Sequence, residues 1–416
     1  MKINKNIIYI YYIFLYLSLL VGYYFQEDFT GGFKMDLETH NMLIQNLFDK
    51  GIAFGLLNYD IYYVPHSPIF IIYIIYLKKI FIFEDIYRLI NLHFSLLIPF
   101  IVGLSLKVKY NLKKGDIRYL LPSIFFLSPY FRAGSIWTDD NLFAIIFLCI
   151  SVYFFTKYEK KKYNFNNIIY CTLFLAICCY FRPIYSIFSI YFFINFFFNL
   201  RLSKKLAYYI LLNLLLSFPA FYYLYILNIN KWAMSYLFRE NIFTLVALAS
   251  SVIMFYFSPF ILKDYKLVIK KLSNINSIIF YFFILILIFI FFEYNRTYSG
   301  GIVLKFSYLV FSNYYFFFFA SSLCIVLLYI LFFSEKKKII FSDIIVITIL
   351  FLIEIDGVIY HETYDPLIFI LIFLIIKNTY ISSFIKNLNL KKFLILFSFS
   401  SGFYLISILK ILIFVN

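Results

Sequence analysis

The chain has 416 residues, of which 64% are hydrophobic and only 14% are charged, and its mean hydropathy is +0.89. Soluble domains average about 45–50% apolar and about 25% charged residues, so this composition excludes a water-soluble enzyme and a disordered chain. The formal net charge is +16, from 37 Lys and Arg against 21 Asp and Glu. Apolar runs recur from Ile7 to Val415. The positive net charge is therefore better explained by the Lys and Arg excess that membrane proteins carry in their cytoplasmic loops than by nucleic-acid binding.

Apolar runs that fit a bilayer recur along the whole chain. The pattern predicts an all-α polytopic membrane protein in one domain, 1–416, with about 13 transmembrane helices of roughly 20 residues each. The predicted spans are 7–25, 86–106, 119–131, 141–156, 167–181, 184–200, 206–227, 242–262, 277–292, 308–333, 339–355, 366–376 and 393–414. The run at 68–83 is interrupted by Lys78 and Lys79, which predicts a helix that lies in the interface or enters only partway.

Basic residues fall on one side when these spans are threaded with the N-terminus in the cytoplasm. The basic runs that then face the cytoplasm are 107–118, 157–162, 201–205, 263–271, 336–338 and 377–392, whereas most acids face outward. A full span at 68–83 would invert every later loop. We therefore predict a protein integral to a bacterial inner or plasma membrane, with its chemistry on the extracytoplasmic face. The first span is an uncleaved anchor, because no small-residue cleavage site follows Gly22.

The first extracytoplasmic loop, 26–67, is the longest non-spanning segment. The stretch from Asp36 to Lys50 has helical periodicity, and its apolar positions on one face are Leu37, Leu43 and Leu47. This predicts a short interfacial helix after Gly31-Gly32 and before Gly51. Asp36 and His40 are four residues apart and share a face near the helix start, where an acid is also favoured as a cap.

The other outer loops carry most of the remaining ionisable side chains. Paired acids at the mouth of a span cap a helix, bind a divalent cation or hold a sugar, and an arginine at the boundary needs a partner or solvent. The residues concerned are Asp139 and Asp140 in 132–141, Arg182 beside Pro183, Lys305 in 293–307, and His361 in 354–366. No Walker A loop or dinucleotide-binding glycine motif occurs, so no nucleotide cofactor is expected.

Five short patches follow one another in a distinctive order. They are Asp36-Leu37-Glu38-Thr39-His40, Val64-Pro65-His66-Ser67-Pro68, Ser128-Pro129 followed by Asp139-Asp140, Arg182-Pro183, and His361-Glu362-Thr363-Tyr364-Asp365-Pro366. In order and spacing they resemble the GT-C superfamily of membrane glycosyltransferases, in the branch of aminoarabinose transferases and protein O-mannosyltransferases. The chain departs from that pattern at Ser67, which breaks a proline pair, and at Thr363, where the family often has arginine.

The resemblance implies transfer of a sugar from a polyprenyl-phosphate carrier to a hydroxyl of a glycan, lipid or protein, with inversion. Asp36 is the implied general base and Glu38 the second choice. The implied substrate contacts are His40, His66, Asp139 and Asp140, with Arg182, Lys305 and His361 as cations for the leaving phosphate. The sequence leaves open a divalent metal ion, for which Asp36, Asp139 and Asp140 are the candidate ligands. The partners are thus the lipid-linked donor, the acceptor and the bilayer, without nucleic acid.

Two other classes of function fit a chain of this kind. An O-antigen-type polymerase or ligase has a similar length and span number, but usually places its largest outer loop in the second half of the chain. A transporter or lipid flippase predicts ionisable residues at mid-membrane and internal repeats with broken helices. The ionisable residues here cluster at one face, which favours the transferase.

Overall fold

The computed structural model describes residues 4–29, 32–59, 67–81, 83–160, 164–225, 241–262, 265–294, 299–333, 341–354 and 359–414. Within these ranges the regular elements are all helical, which confirms the predicted all-α class. Seven helices in the described residues are long and apolar enough to cross a membrane, or up to nine if two bent pairs each count as one span. This number is below the predicted 13, partly because three predicted spans are shorter helices, Ile117–Leu127, Phe165–Phe181 and Phe341–Leu352. A fourth short apolar helix, Gly301–Phe311, begins within the predicted outer loop 293–307.

The chain forms two compact units. The first comprises Met1–Met234 with Phe397–Asn416, and the second comprises Ser235–Leu396. The helices of the first unit are α1 (Lys5–Tyr24), α2 (Phe33–Phe48), α3 (Ile52–Leu57), α4 (Pro68–Ile80), α5 (Glu84–Ser95), α6 (Leu97–Tyr110), α7 (Pro129–Trp137), α8 (Asp140–Lys160), α9 (Phe165–Phe181), α10 (Phe188–Leu200) and α11 (Lys204–Tyr225), with 3₁₀ helices at Ile117–Leu127 and Pro183–Ile187.

The helices of the second unit surround α12 (Ile242–Ile261), whose side chains are mostly buried. The others are α13 (Tyr265–Leu272), α14 (Ile275–Phe291), α15 (Gly301–Phe311), α16 (Tyr315–Phe332), α17 (Phe341–Leu352), α18 (His361–Tyr364), α19 (Leu367–Ile370) and α20 (Thr379–Lys386), with a π-helix at Leu371–Ile375. The last helix, α21 (Leu390–Phe414), begins in this unit and ends in the first.

The third predicted span, 119–131, differs from the observed chain. A 3₁₀ helix ends at Leu127, and α7 begins anew at Pro129, because the hydroxyl of Ser128 accepts a hydrogen bond from the N–H of Phe131 and a proline suits the first helical position. The predicted outer loop at 132–141 is therefore helical as far as Trp137. Sequence hydropathy does not detect this break, since both pieces are apolar.

The segment 117–137 runs beside α1 in the same direction. The hydroxyl of Tyr12, in the first half of α1, donates to the carbonyl of Tyr119 (2.7 Å). The indole N–H of Trp137 donates to the carbonyl of Glu27, just beyond α1 (2.9 Å). Both segments thus finish at one end of the first unit. We call this end, which holds Glu27, Asp36, Asp139 and Asp140, the acidic end.

Helix α4 begins and finishes at the acidic end. At its start, the hydroxyl of Ser67 donates to the carbonyl of Tyr180, in the last turn of α9. At its finish, Lys78 donates to the side chain of Asn41 on α2 (2.7 Å), which in turn donates to Glu84, the first residue of α5 (3.3 Å). This is the placement of a helix that does not cross the unit, as the lysine pair predicts.

Candidate functional site

Helix α2 forms close to the predicted interfacial helix. It extends from Phe33 to Phe48, and the side chains of Leu37 and Leu43 are buried, as the periodicity requires. His40 lies on the same face and is also buried, with its ring against that of Phe70 on α4 (centroids 5.2 Å apart). The apolar face of α2, which includes His40, thus fixes this helix against the bundle.

Asp36 lies in the first turn of α2 and is half-buried, whereas Glu38 is exposed. The cap position is Gly32, which has no side chain to offer. Instead, the carboxylate of Asp28 accepts the N–H of Lys34 (3.1 Å) and satisfies one of the N–H groups at the start of the helix. Asp28 thus caps α2 from outside the helix, and Asp36 is a half-buried carboxylate in its first turn.

The paired acids at the start of α8 have two different roles. Both carboxylate oxygens of Asp139 accept backbone N–H groups, those of Asn141 and Leu142 (3.1 Å each). This is the geometry of a helix cap. Asp140 is almost fully buried and pairs with Nη1 of Arg182 (3.1 Å), whose side chain is 26% exposed. The pair joins the start of α8 to the end of α9.

These contacts bear on the question of a metal ion. Within the described ranges, no group of three or more His, Cys, Asp or Glu side chains is placed to hold one. Asp139 already caps α8 and Asp140 already holds Arg182 in an ion pair. The donor set of these two carboxylates therefore does not fit a metal site.

A second ion pair at the acidic end does not emerge from the sequence patterns. Glu27 and Arg132 are both buried and form a two-pronged contact, Nε to Oε1 at 2.7 Å and Nη2 to Oε2 at 2.6 Å. Arg132 also donates to the carbonyl of Ser18 (2.9 Å), and the hydroxyl of Tyr404 on α21 donates to Glu27 (3.2 Å). A Cβ on Gly22 would come within 2.3 Å of the Glu27 carboxylate, so only glycine admits this approach of α1.

Arg88, in α5, is likewise absent from the sequence patterns. Its side chain is only 4% exposed, and its guanidinium lies 3.8 Å from the ring centroid of Trp137. Its Nε donates to the carbonyl of Ile136 (3.1 Å). The sequence could have indicated Arg88 as a functional residue, because it lies inside an apolar segment, where an ionisable residue is usually functional.

The second unit contains a hydrogen-bonded chain centred on His361. The N–H of Ile302, near the start of α15, donates to Nε2 (2.8 Å), so this nitrogen is an acceptor. The other nitrogen, Nδ1, therefore carries the proton and donates to the hydroxyl of Tyr256 (3.1 Å), which donates to Asp365 (3.2 Å). Both ring nitrogens of His361 are thus engaged in holding three elements together, and Lys305 lies half-buried on α15 nearby.

The predicted site residues thus fall into separate groups. The structure places Asp36, Glu38, His40, Asp139, Asp140 and Arg182 in the first unit and Lys305 and His361 in the second. His66 lies outside the described residues. No family model matches the chain, and neither a curated protein nor a solved structure matches it.

Proposed function

We propose that the protein is a membrane glycosyltransferase that moves a sugar from a polyprenyl-phosphate carrier to a hydroxyl acceptor, with inversion. One observation supports this most: the acidic end of the first unit carries both a half-buried carboxylate, Asp36, and a cation held in place, Arg182. The five sequence patches supply the reaction class. The thirteen-span threading belongs to the same proposal, with the acidic end on the extracytoplasmic face because the basic runs lie in the opposite loops.

In this proposal Asp36 is the general base. The acceptor oxygen forms a bond to the anomeric carbon while the bond from that carbon to the phosphate oxygen breaks, so the configuration inverts. The carboxylate of Asp36 takes the hydroxyl proton, and the phosphate leaves with the bonding electron pair. General-base catalysis of this kind contributes about 100- to 10,000-fold. The half-buried position on a helix beside the membrane suits a base that meets a water-borne acceptor and a lipid-borne donor.

Arg182 stabilises the leaving phosphate in the same proposal. Negative charge develops on the phosphate as the bond breaks, and a cation fixed in advance lowers the barrier. Asp140 provides this fixation, since it is buried and holds Nη1 of Arg182 at 3.1 Å, while a quarter of the arginine side chain stays exposed. Lys305 and His361, the other cations that the sequence patches suggest, belong to the second unit.

The test compares Asp36→Asn with Asp49→Asn, a matched change at the exposed far end of α2. Each variant is reconstituted in liposomes and supplied with synthetic polyprenyl-phosphate hexoses and extracted cell-envelope acceptors. The readout is the mass shift of the acceptors. We expect Asp36→Asn to lower transfer by two to four orders of magnitude, as loss of a general base does, and Asp49→Asn to leave it unchanged.

Two outcomes would contradict the proposal in different ways. Normal transfer by Asp36→Asn would remove Asp36 as the base, while the reaction class would stand. No mass shift on any acceptor with the unmodified protein would remove the transferase function itself. Protein level and monodispersity are measured for each variant, so that loss of fold is not mistaken for loss of catalysis.

A further inference from the structure

The guanidinium of Arg88 is buried with part of its hydrogen-bonding capacity unused. Of its three nitrogens, Nε donates to the carbonyl of Ile136 (3.1 Å) and Nη1 lies 3.5 Å from Asp85, a carboxylate that is 80% exposed. Nη2 is buried and has no hydrogen-bond partner among the residues that the structure describes. Arg88 differs in this respect from Arg132, which is bound on both prongs by buried Glu27.

Burying a guanidinium with an unsatisfied N–H donor costs free energy unless a ligand accepts the hydrogen bond. A buried donor that is left unsatisfied loses its interaction with water, and the loss is larger for charged groups. The carboxylate of Asp85 is too far from the guanidinium for a good hydrogen bond, and it is mostly solvated. The arginine is nevertheless held firmly, because its guanidinium lies over Trp137 at 3.8 Å and 5.4 Å from the ring of Tyr23.

The surroundings of Arg88 add a second cation. Lys34, exposed in the first turn of α2, places its ammonium 5.7 Å from the ring centroid of Trp137. The two cations thus contact one indole, at the acidic end and two residues along α2 from Asp36. A planar guanidinium whose orientation is fixed, with a flexible ammonium near the same indole, is suited to the oxygens of a phosphate group.

We infer that Arg88 and Lys34 form a phosphate-binding site, with Trp137 as its floor. Nη2 of Arg88 donates to a phosphate oxygen, and Lys34 supplies a second positive charge from α2. The ligand class is a phosphate monoester or diester; that it belongs to a polyprenyl carrier rests on the proposed function. In that case the site binds the carrier phosphate at the acidic end of the first unit, which also holds Asp36.

Trp137 makes the site directly observable. The chain has two tryptophans, so Trp232→Phe leaves Trp137 as the single indole reporter of a phosphate at the guanidinium stacked on it. Full-length protein in detergent is titrated with a short-chain polyprenyl monophosphate, with inorganic phosphate and with the uncharged polyprenol. We expect a saturable change in Trp137 emission with the phosphates and none with the polyprenol. A response to polyprenyl phosphate alone identifies the lipid source, whereas a response to both identifies the phosphate group as sufficient.

Substitution of Arg88 tests the assignment. Arg88→Gln should weaken phosphate binding about tenfold to hundredfold, the value of one or two charge-assisted hydrogen bonds, and Arg88→Lys should fall between it and the parent. The control is Arg118→Gln, since Arg118, in the first turn of the 3₁₀ helix, is paired with Asp116 just before that helix (2.6 Å). If Arg88→Gln does not elute as a monodisperse peak, Arg88→Lys and Lys34→Gln carry the test.

The outcomes separate this inference from the proposed function. Phosphate binding that is equal in the parent and in Arg88→Gln, or absent from both, would overturn the site even if sugar transfer occurs. If phosphate binding depends on Arg88 but the protein transfers no sugar, the result would support the phosphate-binding site and contradict the proposed glycosyltransferase function.

Discussion

The buried pair of Glu27 and Arg132 gives the sharpest prediction about stability. Glu27→Gln keeps the shape of the side chain but removes its charge, so the guanidinium of Arg132, which is 3% exposed, loses its counter-ion. Removing one partner of a buried pair costs about 3–5 kcal/mol, because a charge is left without compensation. That loss corresponds to a shift in the unfolding equilibrium of about 100-fold or more.

The assay is unfolding of the purified protein in detergent, followed by the loss of the monodisperse peak on size exclusion after heating. Asp49→Asn, at an exposed position, is the control and should unfold like the parent. The double variant Glu27→Gln with Arg132→Gln removes both charges, so its loss should be clearly smaller than the sum of the two single losses. Additive losses, or a Glu27→Gln protein as stable as the parent, would refute the view that these two charges depend on each other.

Two further predictions concern close packing and the second unit. Gly22→Ala should destabilise the protein nearly as much as Glu27→Gln, because the new methyl would overlap the carboxylate; Gly402→Ala, which meets nothing within 4 Å in the middle of a helix, should be neutral or stabilising in the same heating assay. Tyr256→Phe removes the acceptor of the Nδ1 proton of His361 and should cost about 1–3 kcal/mol. Equal melting of Tyr256→Phe and the parent would show that this chain of hydrogen bonds does not stabilise the unit.

Local features of the fold could be predicted from the sequence because their causes are local. The interfacial helix α2 follows from the spacing of its apolar residues, and the placement of α4 at one end follows from Lys78 and Lys79 within a short apolar run. For Asp139 the sequence leaves three roles open, which are a helix cap, a ligand of a divalent cation and a contact to a sugar. Its hydrogen bonds to the N–H groups two and three residues later are those of a helix cap.

Which side chain each buried arginine pairs with could not be predicted from the sequence, because the pairing depends on contacts between distant parts of the chain. The sequence indicates that Arg132 follows a predicted span, and this favours an outer loop. In the fold it is enclosed by a glutamate 105 residues earlier in the chain. Arg88 shows the same limit, since its unused nitrogen becomes visible only when α7 places Trp137 against it.

The hydrogen bond from Tyr404 to Glu27 has a consequence for biogenesis. The two residues are separated by 377 positions, so the ribosome makes the second long after the first. At ~5–20 residues per second the delay is roughly 20 to 75 s. During that interval the amino-terminal helices wait in the bilayer without their last polar contact, and a chaperone or insertase that shields this gap would act before translation terminates.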